Sequence, residues 1–516
     1  PTAPMFTPMT LMVAADHGED GSTVSPIGDH SRMSRRWKTR LAICGAFLAL
    51  LALYTASPIW SRSDPLWIPF TAQSLLDDHD LDLSDRGFRA GDDYALVEHD
   101  GQVVSYFPWT TAALTTPLVV AHAGLERLGV VTPLRDQLAS LDVGPFQRFA
   151  GGTFAAAAAV VLALLTRQLL RVVRPAADPL LDRATVDPGL AERWWFVPLC
   201  TFVLGLATPL WSTASRGLWQ HGPGVLLLAG AWLAALADLA PHHAAPDRST
   251  AEVTTRWWPI VLSGVLAGLA CGVRPTNLVL VASLGGFLVW RRRAVVTRWV
   301  IATLGIAVAG IAANVVLLGS PLPSYFSAGR IGPHPAIVRA VMDNVVSPSR
   351  GLLVFSPWLA LGAVALTRGR RERLGGDVTA FATLAAAATA ATALAMASYG
   401  EHWWAGHSFG PRFMSETVVV LGPLALVTIF GPRPRTAAGR RSSTIVAPLL
   451  IVVSVLMHAP GAVTEITECW SRTPVDVDGD PQRVEDWSDA QSVAGWVTLV
   501  RDGPAAPVEV CEADRA

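Results

Sequence analysis

The chain reads as an all-α polytopic membrane protein. Its expected architecture is about eleven transmembrane helices, interfacial helices in a first outer loop, and a small extracytoplasmic C-terminal tail. Three observations carry that expectation. About half of the 516 residues are apolar and 16% are charged, a balance far from that of a soluble domain. Apolar runs close to the ~20 residues needed to cross a bilayer recur along the chain. Basic clusters mark alternate gaps between those runs, as the retention of arginine and lysine on the cytoplasmic side requires. The formal net charge of −1 gives no reason to expect a nucleic-acid partner.

Residues 1–31 are mixed in composition, lack apolar period and read as a disordered cytoplasmic tail. Arg32, Arg35, Arg36, Lys38 and Arg40 then precede a run from 41 to about 59. That run suits a first span better than a cleaved signal peptide, since it is long and no A-x-A site follows. Basic residues before it place the N-terminus inside. Further runs lie at about 150–168, 195–213, 223–239, 258–272, 277–290, 299–318, 352–367, 378–398, 417–431 and 444–460. A transmembrane domain over 32–460 and a tail over 461–516 follow.

The segment 109–128, WTTAALTTPLVVAHAGLERL, is ambiguous by length but carries Pro117, His122, Glu126 and Arg127. Parity decides its placement. If it crossed, Arg167, Arg171 and Arg174, Arg291 to Arg293, the cluster at 368–373 and the group at 433–441 would all lie outside. If it does not, all lie inside. The segment is therefore expected to lie on the outer surface with its apolar side in the lipid interface, within a first outer loop spanning 61–148.

The outer loops hold most of the chemistry. The first opens with WSRSDPLW, placing Asp64 just beyond the first span, and continues to LLDDHDLDL with Asp77, Asp78, Asp80 and Asp82. SRGLWQHGP supplies Trp219, Gln220 and His221, and GVRPTN supplies Arg274. SPSRGLLVFSP carries Arg350, and SYGEHWWAGHSFGPRF carries Glu401, His402, Trp403, Trp404, His407 and Arg412. Arginines on an outer face run against the positive-inside bias. Arg274, Arg350 and Arg412 suit a phosphate held at membrane level, because a guanidinium binds phosphate bidentately and stays charged near lipid. The competing reading is that each caps a helix end or snorkels.

Asp64 has two readings as well. Asp-Pro is a common helix-start pair, whereas a carboxylate beside a phosphate site can take a proton from an attacking hydroxyl. Tyr106, Trp219 and Trp404 could stack on sugars or belong to an interfacial belt. Asp78, Asp80 and Asp82 alternate like a calcium loop but lack its glycine and terminal glutamate. Histidines 221, 402 and 407 fit no common zinc spacing. Cys469 and Cys511, both in the outer tail, are expected to form a disulfide. The stretch 495–513 reads as a hairpin about residues 502–504.

The order of basic N-terminus, first span, outer aspartate, SYFPW leading into an interfacial helix, and a span ending in arginines resembles the GT-C superfamily of membrane glycosyltransferases. Protein O-mannosyltransferases and the lipid A aminoarabinose transferase share this plan. The resemblance implies a catalytic acidic residue at Asp64, a phosphate ligand at Arg274, and sugar transfer from a polyprenyl-phosphate donor. The acceptor would be an extracytoplasmic glycan, lipid or protein at the bacterial plasma membrane. Substrate contacts would come from Tyr106, Trp219, Gln220, His221, Glu401, His402 and Trp404. The first loop departs from the pattern, with Asp64 alone near the span and the acidic cluster a dozen residues later. The base is thus open between Asp64 and the Asp77, Asp78 and Asp80 cluster, and participation of a divalent cation is open too. The main rival is a transporter of a lipid-linked sugar, which would place ionisable groups inside the spans.

Overall fold

The computed structural model describes residues 27–173, 189–237, 257–323, 325, 332–400, 402–432 and 437–503. Helix α1 (Ile27–Thr55) opens the described residues and begins ahead of the expected boundary at 31. The loop after it carries α2 (Ile68–Asp77), a two-stranded ribbon of β1 (Leu96–His99) and β2 (Gln102–Ser105), α3 (Thr110–Arg127) and α4 (Leu134–Ala139). Long α5 (Gly144–Val172) returns to the bundle. Then come α6 (Phe196–Leu206), α7 (Pro209–Ser212), α8 (His221–Leu236), α9 (Trp257–Val273), α10 (Leu278–Arg291) and α11 (Val296–Leu318). Helices α12 (Ile337–Val346), α13 (Leu352–Phe355), α14 (Arg368–Ala397), α15 (Val418–Phe430), α16 (Ala437–Val463), α17 (Ile466–Arg472) and α18 (Gln491–Asp502) are the remaining helices of the described residues.

Six helices among the described residues are long and apolar enough to cross a membrane, or seven if the pair α6 and Pro209–Arg216, bent by 58°, counts as one. The protein is an all-α polytopic membrane protein. The eleven apolar runs all form helix, but several are shorter than a full crossing. Pro209, Pro275 and Pro357 each sit at the start of a new element, where the missing N–H and fixed φ end one helix and permit another. The run at 352–367 accordingly splits into α13 and a ten-residue 3-10 helix, Pro357–Leu366. Inside α14, Gly375 adopts φ 80° and divides the basic first turns from the apolar span.

Packing centres on α5, whose FAGGTFAAAAA stretch lets α1, α6, α8 and α15 approach closely. A Cβ on Gly151 would sit 2.4 Å from the carbonyl oxygen of Gly217. The apolar surface of α11, with Ile301, Leu304, Val308 and Val316 exposed, faces outward as a lipid-bathed helix should.

The segments that flank 109–128 meet at one end of the bundle. Arg216 donates to the Tyr54 carbonyl at 2.9 Å, Gln147 donates to Pro65 O, and Arg148 reaches Pro58 O at 3.2 Å. The end of α1 and the start of α5 therefore lie together, at the same end of the bundle. At the opposite ends of these helices the basic groups gather. Arg171 pairs with Glu192, Arg291 with Asp377, and Arg292 reaches Ala235 O.

The C-terminal segment folds back on the bundle as helices. Val493, Val497 and Val500 are exposed on α18, while Gln491 and Ser492 at its start are buried. The hairpin expected there is overturned up to residue 503, because docking of the helix start outweighs the β-propensity of the valines. Cys469 is disulfide-bonded; Cys511 lies outside the described residues.

Candidate active site

A cleft at the end of the bundle where α1 stops and α5 starts is lined by Asp64, Ile68, Phe107, Trp219, Gln220, His221, Arg274, Tyr325, Arg412 and Phe413, among others. It is small, with about 30 Å3 open to the centre of a water-sized molecule, and it opens to the exterior. Loops far apart in sequence meet here, each delivered by a helix end.

Asp64 begins a single 3-10 turn, Asp64–Trp67, in which Pro65 fixes the second position. Its carboxylate does not cap that turn. One oxygen accepts from the Ser63 hydroxyl at 3.1 Å and from the Tyr94 hydroxyl, and the other from Arg412 Nη1 at 3.3 Å. The capping reading of Asp64 is therefore set aside. Arg412 lies 4.3 Å above the Trp219 ring and 5.3 Å from that of Phe413, so aromatic faces hold the cation at the cleft. Its Nε has no hydrogen-bond partner among the described residues.

Behind this pair sits a buried cluster that includes a residue the sequence reading missed. Glu416 takes Arg274 Nη1 on both oxygens, at 3.1 and 3.0 Å, and lies 2.9 Å from His221 Nδ1. The three residues are at most 4% exposed. Burial pushes the Arg274 guanidinium down, but the Glu416 charge outweighs it and keeps the arginine above its usual range. The histidine tautomer that satisfies Glu416 carries its proton on Nδ1, leaving Nε2 as the acceptor. Arg274 thus has a resident carboxylate partner, and its charge is already balanced. Glu416 was detectable in principle, as a lone acid opening an apolar run.

Other expected site residues fall elsewhere. Arg350, 1% exposed, donates to Trp404 O, Ser349 O, Gln491 Oε1 and Gly406 O. Burial pushes its guanidinium down to about 9. It fastens the 402–410 loop to α18 and is not a phosphate ligand at the cleft. Trp404 is buried and donates to Asp478 at 2.7 Å, and exposed His402 stands edge-on to it, both away from the cleft lining. Tyr106 packs beside Phe107 and Tyr325, each centroid 5.6 Å away, one layer behind the wall. Glu401 lies outside the described residues.

The acidic cluster is a local network. Asp77 and Asp78 pair with Arg86, Asp80 accepts from Ser74, and Asp82 accepts from Ser84 and Val103. Partial burial raises the Asp82 carboxyl, but its donors win and hold it below the usual range. None of the four lines the cleft, which separates them from Asp64.

Fold and cleft together define an all-α polytopic membrane protein with a charged, aromatic-walled cleft at one end of its helices. No protein-family model matches the chain, and no curated protein matches it. Among solved structures, the oligosaccharyltransferase of Archaeoglobus fulgidus in its apo form is similar over 90% of this chain, at 13% identity and a TM-score of 0.40. The match covers 63% of that enzyme's chain, less than two thirds of its length. A likeness at this level carries no argument about activity.

Proposed function

We propose that the protein is a membrane glycosyltransferase that moves a sugar from a polyprenyl-phosphate donor to an acceptor at the outer face of a bacterial plasma membrane. The observation that carries this reading is the Asp64 carboxylate, released from capping and held at the cleft between Tyr94 and Arg412. The basic helix ends would face the cytoplasm with the N-terminus, leaving the cleft outside.

In the resting protein Arg412 is paired with Asp64. A donor phosphate competes for that guanidinium, and its unpartnered Nε adds a second donor for a forked contact. Asp64 is then free to accept the acceptor's hydroxyl proton while the oxygen attacks the anomeric carbon. The bond to the lipid phosphate breaks on the opposite side, giving inversion, and Arg412 stabilises the charge developing on the leaving group. The ion pair of Arg274 with Glu416 fixes the wall behind it and orients His221. Trp219 supports Arg412 and offers its remaining face to the sugar.

The test is transfer of radiolabelled sugar by the purified protein in lipid, across a panel of synthetic polyprenyl-phosphate sugars. Transfer from at least one donor supports the reading. Movement of donor across the bilayer without transfer from any of them would favour a transporter.

A further inference from the structure

The sequence offers no metal-binding spacing around His407, yet the fold brings two carboxylates to it from 69 and 71 residues away along the chain. His407 Nε2 lies 2.9 Å from Asp476 Oδ1 and 3.6 Å from Asp478 Oδ2, and the three ligand atoms fall within 4.8 Å of one another. This is the one group of three or more metal-ligating side chains found at such spacing among the described residues, and it is separate from the cleft.

We propose that His407, Asp476 and Asp478 bind one divalent transition-metal ion of the zinc class, which fastens the C-terminal segment to the loop that follows α14. Ligand bonds of about 2.0–2.2 Å in tetrahedral geometry put donor atoms roughly 3.3–3.6 Å apart. The two separations from His407, 2.9 and 3.6 Å, bracket that range, and the two carboxylate oxygens lie within 4.8 Å of each other, so an ion enters by drawing the three side chains together. One imidazole nitrogen with two carboxylates suits zinc, cobalt or manganese. Calcium needs six to eight oxygens, more than the two carboxylates supply. The two anionic ligands balance the charge of the ion. Both carboxylates are nearly half exposed, so water completes the coordination.

A second observation points the same way. Trp404 Nε1 donates to Asp478 Oδ1 at 2.7 Å, so the other oxygen, Oδ2, is the one turned toward His407. A buried donor that sets the orientation of a ligating carboxylate is the outer-shell arrangement that metal sites use. Trp404 lies in the core shared by α12, the 402–411 loop and the C-terminal segment, so an ion here links all three. The inference does not depend on the proposed transferase activity.

Full-length protein without a histidine tag, reconstituted in lipid nanodiscs and stripped with chelator, is titrated with Co2+ and followed by its visible absorption. The expected result is one equivalent bound with the intense bands of four- or five-coordinate cobalt, displaced by Zn2+. Asp476→Asn should weaken binding about tenfold or more, and His407→Gln should abolish the bands. Asp478→Asn retains an oxygen to accept from Trp404 and serves as the variant least able to disturb folding. Asp486→Asn, in an exposed turn, should change nothing. Zn2+ should also slow proteolysis of the C-terminal segment in the wild type and not in Asp478→Asn. Absence of saturable cobalt binding, binding unchanged in both aspartate variants, or equal competition by Ca2+ would each overturn the proposal and leave a histidine–aspartate ion pair.

Discussion

Replacing Glu416 by glutamine keeps the side chain's volume and removes its charge. In the native cluster the carboxylate receives Arg274 on both oxygens, at 3.0 and 3.1 Å, and His221 at 2.9 Å, with every partner buried. The substitution leaves a guanidinium in the protein interior without its counter-charge. Breaking a buried pair in this way costs about 3–5 kcal/mol, whereas each charge-assisted hydrogen bond taken alone is worth roughly 1.5–3 kcal/mol. The larger figure governs because the stranded charge, not the lost contact, dominates. In detergent, Glu416→Gln should lower the midpoint of thermal unfolding by on the order of 5 °C or more. Arg274→Met should also destabilise. The double variant should regain at least half of the loss in Glu416→Gln, since no charge is then stranded. Penalties that simply add in the double variant would refute the coupling, and with it the account of Arg274 as a neutralised wall residue.

Three further outcomes are expected. Trp219→Ala removes the ring beneath Arg412, worth roughly 1 kcal/mol, and should weaken donor binding about fivefold, measured by titration with a fluorescent donor analogue. Gly151→Ala places a Cβ 2.4 Å from Gly217 O and should cost about 1–3 kcal/mol in a denaturation assay, while Gly45→Ala, with no atom within 4 Å, should cost little. The third concerns pH. Burial, then the hydrogen bond and charge of Glu485, raise the Asp343 carboxyl to about 7, against the pull of Arg339. A raised folded value means the stabilisation is complete below the ordinary aspartate range and fades as pH climbs through 7. Attachment of the segment around Glu485 to α12 should therefore loosen between about pH 4 and 7, read as faster proteolysis. Asp343→Asn should flatten that dependence.

How much of this was legible in the sequence differs by residue. Hydropathy located the long apolar helices, because lipid demands them, but not α12, α17 or α18, which lie outside the apolar runs. Asp64 and Arg412, 348 residues apart, could be assigned to one end of the bundle from loop order alone. Their direct contact could not, since it depends on helix tilts that side-chain packing sets. Prolines 209, 275 and 357 were visible, but an apolar run reads the same whether it forms one span or two short helices. Arg350 resembled Arg412 in sequence. Its role was decided by Gln491, an unremarked polar residue in a segment assigned to no helix. Glu416 escaped because it sits one residue before the apolar run was taken to begin, and its partners come from two other helix ends.

The most direct test of the central claim is single-turnover sugar transfer by wild type and Asp64→Asn, each saturated with the active donor. Asparagine preserves the size of the residue and an acceptor for Tyr94 but cannot take a proton. The account predicts donor affinity within several-fold of wild type and a transfer rate lower by about 100-fold or more. An Asp64→Asn protein that binds donor and transfers sugar at the wild-type rate would contradict it.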